Sequence, residues 1–360
     1  MSIPSVSVST AAEATAPDDT RQASASKLRV RYVDIDAMKG IAITLVVVGH
    51  VVASRSYPRG NEWYWYLQYW IYHFHMPLFM YLAGLTFFLF QKPVSDLRGY
   101  RAFLLQKASR LLPALFVLGA LVVVAKAVLS GWVHVDHPVR DFWSDLLKLF
   151  YDPLGSALVS VWFVYTLFVI YAIVVPLLLV AKWRPEFIVL IGVIAYFLPL
   201  TDYFCLSRVG EYLVMFGLGC AAAPYYTRIV SITTRYFPAF LCLFVALSAL
   251  DFIFMNGLSE DLKKTTLSLA SVPVAHAIAS KMTGRSGKAF ALLGMCSLII
   301  YLLNIEFMGT AKALLLKLHS WDGEAFLIFF PVLALAGTLG PVLLKRKIFV
   351  HYRLLDRLTG

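Results

Sequence analysis

Apolar stretches of about 17 to 25 residues recur from residue 37 to residue 344, parted by short polar connections. That recurrence limits the fold more than any motif in the chain. A helix of this length covers the roughly 30 Å of a bilayer's hydrocarbon, and inside hydrocarbon every backbone polar group must be satisfied within the protein. Ten such stretches lie near 37–54, 69–90, 111–130, 158–181, 186–201, 209–226, 237–255, 264–281, 289–310 and 324–344. With 60% hydrophobic and 15% charged residues, a soluble globular domain is excluded. The expected fold is an all-α polytopic membrane protein of about ten transmembrane helices.

Basic residues accumulate in cytoplasmic connections, whereas acidic residues respond little to sidedness. With a cytoplasmic N-terminus, the inner segments hold 22 Lys and Arg against 9 outside, with Lys126 within a span. Net charge is then +14 inside and −4 outside, which with Lys126 gives the formal +11. Both termini are therefore expected in the cytoplasm. Membrane orientation accounts for the basic balance, so the partner it implies is lipid and not nucleic acid.

Residues 1–30, rich in Ser, Ala and Thr, read as a disordered cytoplasmic tail without the apolar core of a signal peptide. Residues 31–348 form one membrane domain, and 349–360 a basic cytoplasmic tail. Cys205, Cys220, Cys242 and Cys296 show no CxxC spacing and read as small core residues; no metal set is expected. The segment 91–110 mixes basic and apolar residues and predicts an interfacial amphipathic helix running into the third span. The loop 131–156 carries His134, Asp136, His137, Asp141, Trp143, Asp145 and Asp152, a polar and aromatic composition found both in carbohydrate-holding loops and in ordinary ones.

Ionisable groups at membrane depth are costly, which makes them functional candidates. His50 ends the apolar run 41–49 with no local partner, eleven residues and about 16 Å along a helix from Lys39. Lys39 alone reads as a lysine snorkelling to the inner headgroups. In His73-Phe74-His75-Met76-Pro77 the two histidines fall about 200° apart on a helix, so one at most faces the site that His50 faces. His73 reads as a member of the interface belt with Trp63, Trp65, Tyr66, Tyr69, Trp70 and Tyr72. Trp162, Arg208, Glu211, His276, Ser297, Asn304 and Glu306 complete the polar residues of the spans and their rims. Arg208 and Glu211 have the spacing of a pair on one helix face, and Ser297 and Asn304 share a stripe that suits helix packing equally well.

Taken together, Asp36-Ala37-Met38-Lys39-Gly40-Ile41-Ala42-Ile43 leading to Gly49-His50, Phe74-His75-Met76-Pro77-Leu78-Phe79 with Leu82-Ala83-Gly84, Arg110-Leu111-Leu112-Pro113, Val161-Trp162-Phe163-Val164 and Ser297-Leu298-Ile299-Ile300-Tyr301-Leu302 resemble the acyltransferase-3 family of membrane O-acyltransferases. The resemblance is strongest to its sugar O-acetylase branch, which includes fucose 4-O-acetylases and exopolysaccharide acetyltransferases. Carried over by position, it implies that His50 and His75 are the family's motif histidines and that Lys39 and Arg110 are its basic positions. The chain departs from the family at Ala83, where serine is common, and at Asn304, where many members have histidine.

What the resemblance implies is acyl transfer in a multi-pass protein of the bacterial inner membrane. No bound cofactor is expected; acetyl-CoA would be the donor substrate, its phosphates meeting Arg98, Arg101, Lys107 or Arg110. Trp162, Glu211, Ser297 and Asn304 are the further candidates for substrate binding. The acceptor would be a sugar hydroxyl of a polysaccharide or its lipid-linked precursor, with polysaccharide assembly machinery as a partner. His50 would act as general base and His75 would orient the acceptor or steady the oxyanion. The rival expectation is a transporter or flippase for a lipid-linked glycan with the histidines as proton relay; the lack of internal repeats weighs against it.

Overall fold

A computed structural model describes residues 32–52, 57–129, 139, 141–156 and 162–352. The tails 1–30 and 353–360, and His134, Asp136 and His137, lie outside the described residues. Every regular element among the described residues is helical: α1 (Val33–Gly49), α2 (Glu62–Tyr72), α3 (His75–Phe90), α4 (Leu97–Leu129), α5 (Phe142–Tyr151), α6 (Trp162–Val180), α7 (Glu186–Tyr196), α8 (Leu206–Ala222), α9 (Tyr226–Arg235), α10 (Phe237–Ile253), α11 (Glu260–Lys281), α12 (Gly284–Met295), α13 (Ser297–Leu316) and α14 (Ala325–Lys347).

Eight of the ten apolar stretches fall mainly on a single helix, whereas 69–90 straddles the break between α2 and α3 and 289–310 straddles the break between α12 and α13. Among the described residues six continuous helical segments are long and apolar enough to cross a membrane, the joined pairs α2–α3 and α8–α9 each counting as one, while α7 and α10 are shorter apolar helices. The protein is an all-α polytopic membrane protein. Of the segment 91–110 predicted as an amphipathic lead-in, residues 91–96 are not helical and 97–110 are the first turns of α4, one helix of 33 residues with Pro113 inside it. At about 1.5 Å per residue it is some 50 Å long, more than the hydrocarbon thickness, so its basic first turns extend past the apolar layer.

The core is built where α1 packs on α12, α3 on α8, α7 on α8 and α13 on α14. Small residues permit the closest crossings, as they do between membrane helices generally. A methyl group at Gly294 on α12 would lie 1.8 Å from the Asp36 carbonyl of α1, and one at Gly40 would lie 2.0 Å from the Phe290 carbonyl. Backbones at that distance hold α1 in a single register against α12. Lys39, beside Gly40, is placed by this crossing. Cys205, Cys220 and Cys296 are buried and Cys242 is exposed, so three of the four fit the expectation of core residues.

Candidate active site

His50 caps the C-terminus of α1, where the last carbonyls of any helix lack intrahelical donors. Helix α2 supplies them. Tyr64, Gln68 and Tyr72 recur every four residues on one face: the Tyr64 hydroxyl donates to the Val48 carbonyl at 2.8 Å, and Gln68 Nε2 donates to the carbonyls of Gly49 at 2.6 Å and Val52 at 3.2 Å. The Tyr72 hydroxyl donates to the same Gly49 carbonyl at 3.1 Å. Its ring also meets both motif histidines, His50 edge-on at 6.1 Å and His75 tilted at 5.1 Å between centroids.

His50 Nδ1 lies 3.3 Å from Oδ1 of Asn304 on α13. Asn304 is completely buried, and its amide nitrogen is committed to the carbonyls of Ile300 at 2.9 Å and Tyr301 at 2.8 Å. Its oxygen can therefore only accept, so the hydrogen of a neutral His50 sits on Nδ1 and the lone pair on Nε2. His75 Nδ1 donates to the Ile71 carbonyl at 2.7 Å, which leaves its Nε2 lone pair free by the same reasoning. Two imidazoles with their Nε2 atoms unprotonated thus flank one tyrosine ring. Asn304, a departure from the family pattern and an equal candidate for mere helix packing, is the group that orients His50.

The break between α2 and α3 explains how two histidines two residues apart serve different neighbours. Pro77 has no N–H, so the carbonyl four residues earlier, that of His73, has no helical donor. Ser268 of α11 supplies one at 3.0 Å. The His73 ring turns away to Asp251 Oδ2 at 3.0 Å and Glu260 Oε2 at 3.1 Å, and is only 3% exposed. The expectation that His73 belongs to the interface belt is corrected: it is a buried partner of two carboxylates. An acidic residue near each end of the turn between α10 and α11 was the available signal, but no sequence spacing ties either to His73.

A cavity of about 600 Å³ opens at the basic end of the bundle, lined among others by Lys39, Lys107, Arg110 and Ser297. Lys39 faces this space. Arg98 and Arg101 do not line it; they are exposed on the earlier turns of α4. Lys107 Nζ stands over the Tyr171 ring, 4.6 Å from its centroid.

The cavity stops short of the histidines. On α3 its lining runs from Phe90 to Phe79, and His75 lies four residues, about 6 Å, farther on. On α13 it ends at Tyr301, three residues and about 4.5 Å before Asn304. Phe79, Phe163 and Tyr301 close the end, with centroids 5.7 Å apart between Phe79 and Phe163 and 5.2 Å between Phe163 and Tyr301. The Phe163 N–H donates to the Tyr301 hydroxyl oxygen at 3.3 Å, tying α6 to α13 at this partition.

Trp162 and Glu211 belong to a neighbouring cluster. Trp162 stacks on Tyr212 at 5.4 Å and meets Phe163 of the partition edge-on at 6.1 Å. Glu211 accepts from Arg208 at 2.5 Å, the pair foreseen on one helix face, and from Lys264 at 3.3 Å. Arg208 also lies over the Trp162 ring, 5.5 Å from its centroid. Among the described residues no group of His, Cys, Asp and Glu has the arrangement of a metal site.

A comparison with curated proteins finds nodulation protein NolL of Mesorhizobium japonicum, 30% identical over 148 residues that cover 40% of this chain and 35% of NolL. The match thus spans about a third of that relative's length. No solved structure matches this chain. The acyltransferase domain model of the acyltransferase-3 family matches residues 32–346, which include α1 with His50, the α2–α3 break with His75, the basic cavity and Asn304. With nearly all of its membrane-embedded part so matched, this polytopic membrane protein belongs to the acyltransferase-3 family.

Proposed function

We propose that the protein transfers an acetyl group from cytoplasmic acetyl-CoA to a sugar hydroxyl of a cell-surface polysaccharide or its lipid-linked precursor, in the inner membrane of a bacterium. The observation that carries this reading is the His50–Asn304 bond, which leaves Nε2 of His50 as a proton acceptor close to His75. In the reaction His50 Nε2 takes the proton of the sugar hydroxyl as its oxygen attacks the thioester carbonyl. The C–S bond then breaks and the proton passes from His50 to the leaving thiolate, so CoA departs as the free thiol. His75 orients the acceptor hydroxyl, since its Nε2 carries no hydrogen to offer an oxyanion unless the ring is protonated.

The donor fits the basic cavity. Lys39, Lys107 and Arg110 line a space whose charge suits the phosphates of CoA, with Arg98 and Arg101 as an exposed cationic approach along the same helix. Because Phe79, Phe163 and Tyr301 close that space one turn below His75, the thioester meets His50 only when the partition opens. Trp162 and Glu211, on the Tyr212 side of the partition, offer an aromatic face and a carboxylate to a sugar.

Purified protein in detergent, supplied with acetyl-CoA and a solubilised glycan, tests the reading. Wild type forms acetylated glycan and free CoA without any ion gradient, and a folded His50→Ala protein forms neither above background. Full activity of that variant removes His50 as the base. Activity seen only in sealed vesicles with a gradient transfers the protein to the transport class.

A further inference from the structure

We propose that Asp251, His73, Glu260 and Ser268 form a positioning device that holds the α2–α3 break and so aims His75. The inference rests on the reading above, in which His75 meets the acceptor. The break is where α2 ends at Tyr72 and α3 begins at His75, with Pro77 preventing one continuous helix.

Side chains from two other helices clamp His73, the first of the two residues in between. Ser268 donates to the His73 carbonyl that Pro77 leaves open. The His73 ring is held at both nitrogens, by Asp251 of α10 and Glu260 of α11. Each ring nitrogen lies within hydrogen-bond distance of a carboxylate oxygen on a different helix, which fixes the rotation of the His73 side chain. Around it Tyr69 donates to Asp251 at 3.3 Å, while Lys263 donates to Glu260 at 2.8 Å, to Tyr69 at 3.0 Å and to the Met255 carbonyl. Tyr69, Asp251, Glu260 and Lys263 are the titratable groups facing His73 from α2, α10 and α11.

Stability is a poor explanation for such a group. Buried ion pairs recover little more than their desolvation cost, and well-packed apolar residues often do as well. What an apolar cluster lacks is direction: it would leave the His73 carbonyl open and the break free to settle into more than one geometry. His75 is two residues beyond the clamp, and its Nδ1 bond to Ile71 depends on the same turn.

The test uses the full-length protein in detergent with uniformly ¹⁵N-labelled histidine, each variant first checked for its thermal midpoint. His75→Gln identifies the His75 imidazole signals by difference. In wild type His75 shows one tautomer, protonated at Nδ1. Ser268→Ala and Asp251→Asn are expected to mix the His75 tautomers and to lower kcat by roughly 10- to 100-fold with donor KM unchanged, as for a misplaced catalytic contact. Ser268→Thr, which keeps the hydroxyl, is expected to restore both. Unchanged His75 signals in both variants overturn the proposal whatever the activity does. Tautomer mixing without loss of kcat also overturns it. If His75→Gln is itself fully active, it is the role of His75 that fails, which is read separately from the tautomer result.

Discussion

His50 and Asn304, 254 residues apart in sequence, share a hydrogen bond of 3.3 Å whose direction is dictated by the two backbone carbonyls that occupy the Asn304 amide nitrogen. One buried amide thereby selects the tautomer of a histidine on another helix. Asn304→Ala should lower kcat by about 10²-fold, the lower end of what a positioned general base supplies. Donor KM should hold, because Asn304 does not line the basic cavity. Steady-state kinetics with varied acetyl-CoA separate the two parameters, and an unchanged kcat would show that His50 needs no such partner.

Lys107 and Arg110 line the cavity, whereas Arg98 and Arg101 do not. Losing one charge-assisted hydrogen bond to a phosphate costs about 1.5–3 kcal/mol, so Lys107→Ala or Arg110→Ala should raise donor KM about tenfold or more. Arg98→Ala should shift it less, and that smaller shift should fade as salt screens the exposed charge. Donor KM measured at low and high ionic strength distinguishes the pairs; equal effects at all four positions would mean the cavity is not where the phosphates bind.

Phe79 closes the cavity against Phe163. Phe79→Ala should open a path between the basic end and the histidines, so that thioester is cleaved by water. The expected readout is CoA release without acceptor, rising above wild type while acetylated glycan falls. A core Phe→Ala change costs about 3–5 kcal/mol, so Phe79→Leu is the companion that keeps the fold while thinning the partition. Acceptor-independent release at the wild-type rate in both variants would leave the partition without this role.

Gly294 faces the Asp36 carbonyl so closely that an added methyl would lie 1.8 Å from it. Gly294→Ala must push α12 from α1, with an expected loss of about 1–3 kcal/mol or more. The thermal midpoint in detergent should drop, and donor KM should rise as well because Lys39 sits on the displaced face of α1. A midpoint equal to wild type would mean that the two helices slide without penalty.

Helices and their apolar content were legible in the residue order because hydrocarbon demands about twenty apolar residues and internally satisfied backbones, a local and additive requirement. His50 stood out for a related reason, since an ionisable group in or beside an apolar run is conspicuous wherever it lies, whereas the choice of His75 over His73 and the basic positions Lys39 and Arg110 came from the family resemblance. Tyr64 and Gln68, which with Tyr72 cap the end of α1, were missed in the sequence because nothing local marks what they bond.

Tertiary structure decided which polar groups meet. Asn304 is equally suited to bonding within its own helix, and only the packing of α13 beside the end of α1 turns its oxygen to His50. His73 resembles its aromatic neighbours until α10 and α11 bring Asp251, Glu260 and Ser268 to the break that Pro77 makes. Arg98, Arg101, Lys107 and Arg110 are alike as charges, yet only two reach the cavity, because the turns of α4 point them differently. Hydropathy acts residue by residue and survives in a one-dimensional reading, whereas hydrogen-bond partners depend on angles and on distances of about 3 Å that exist only once the helices are packed.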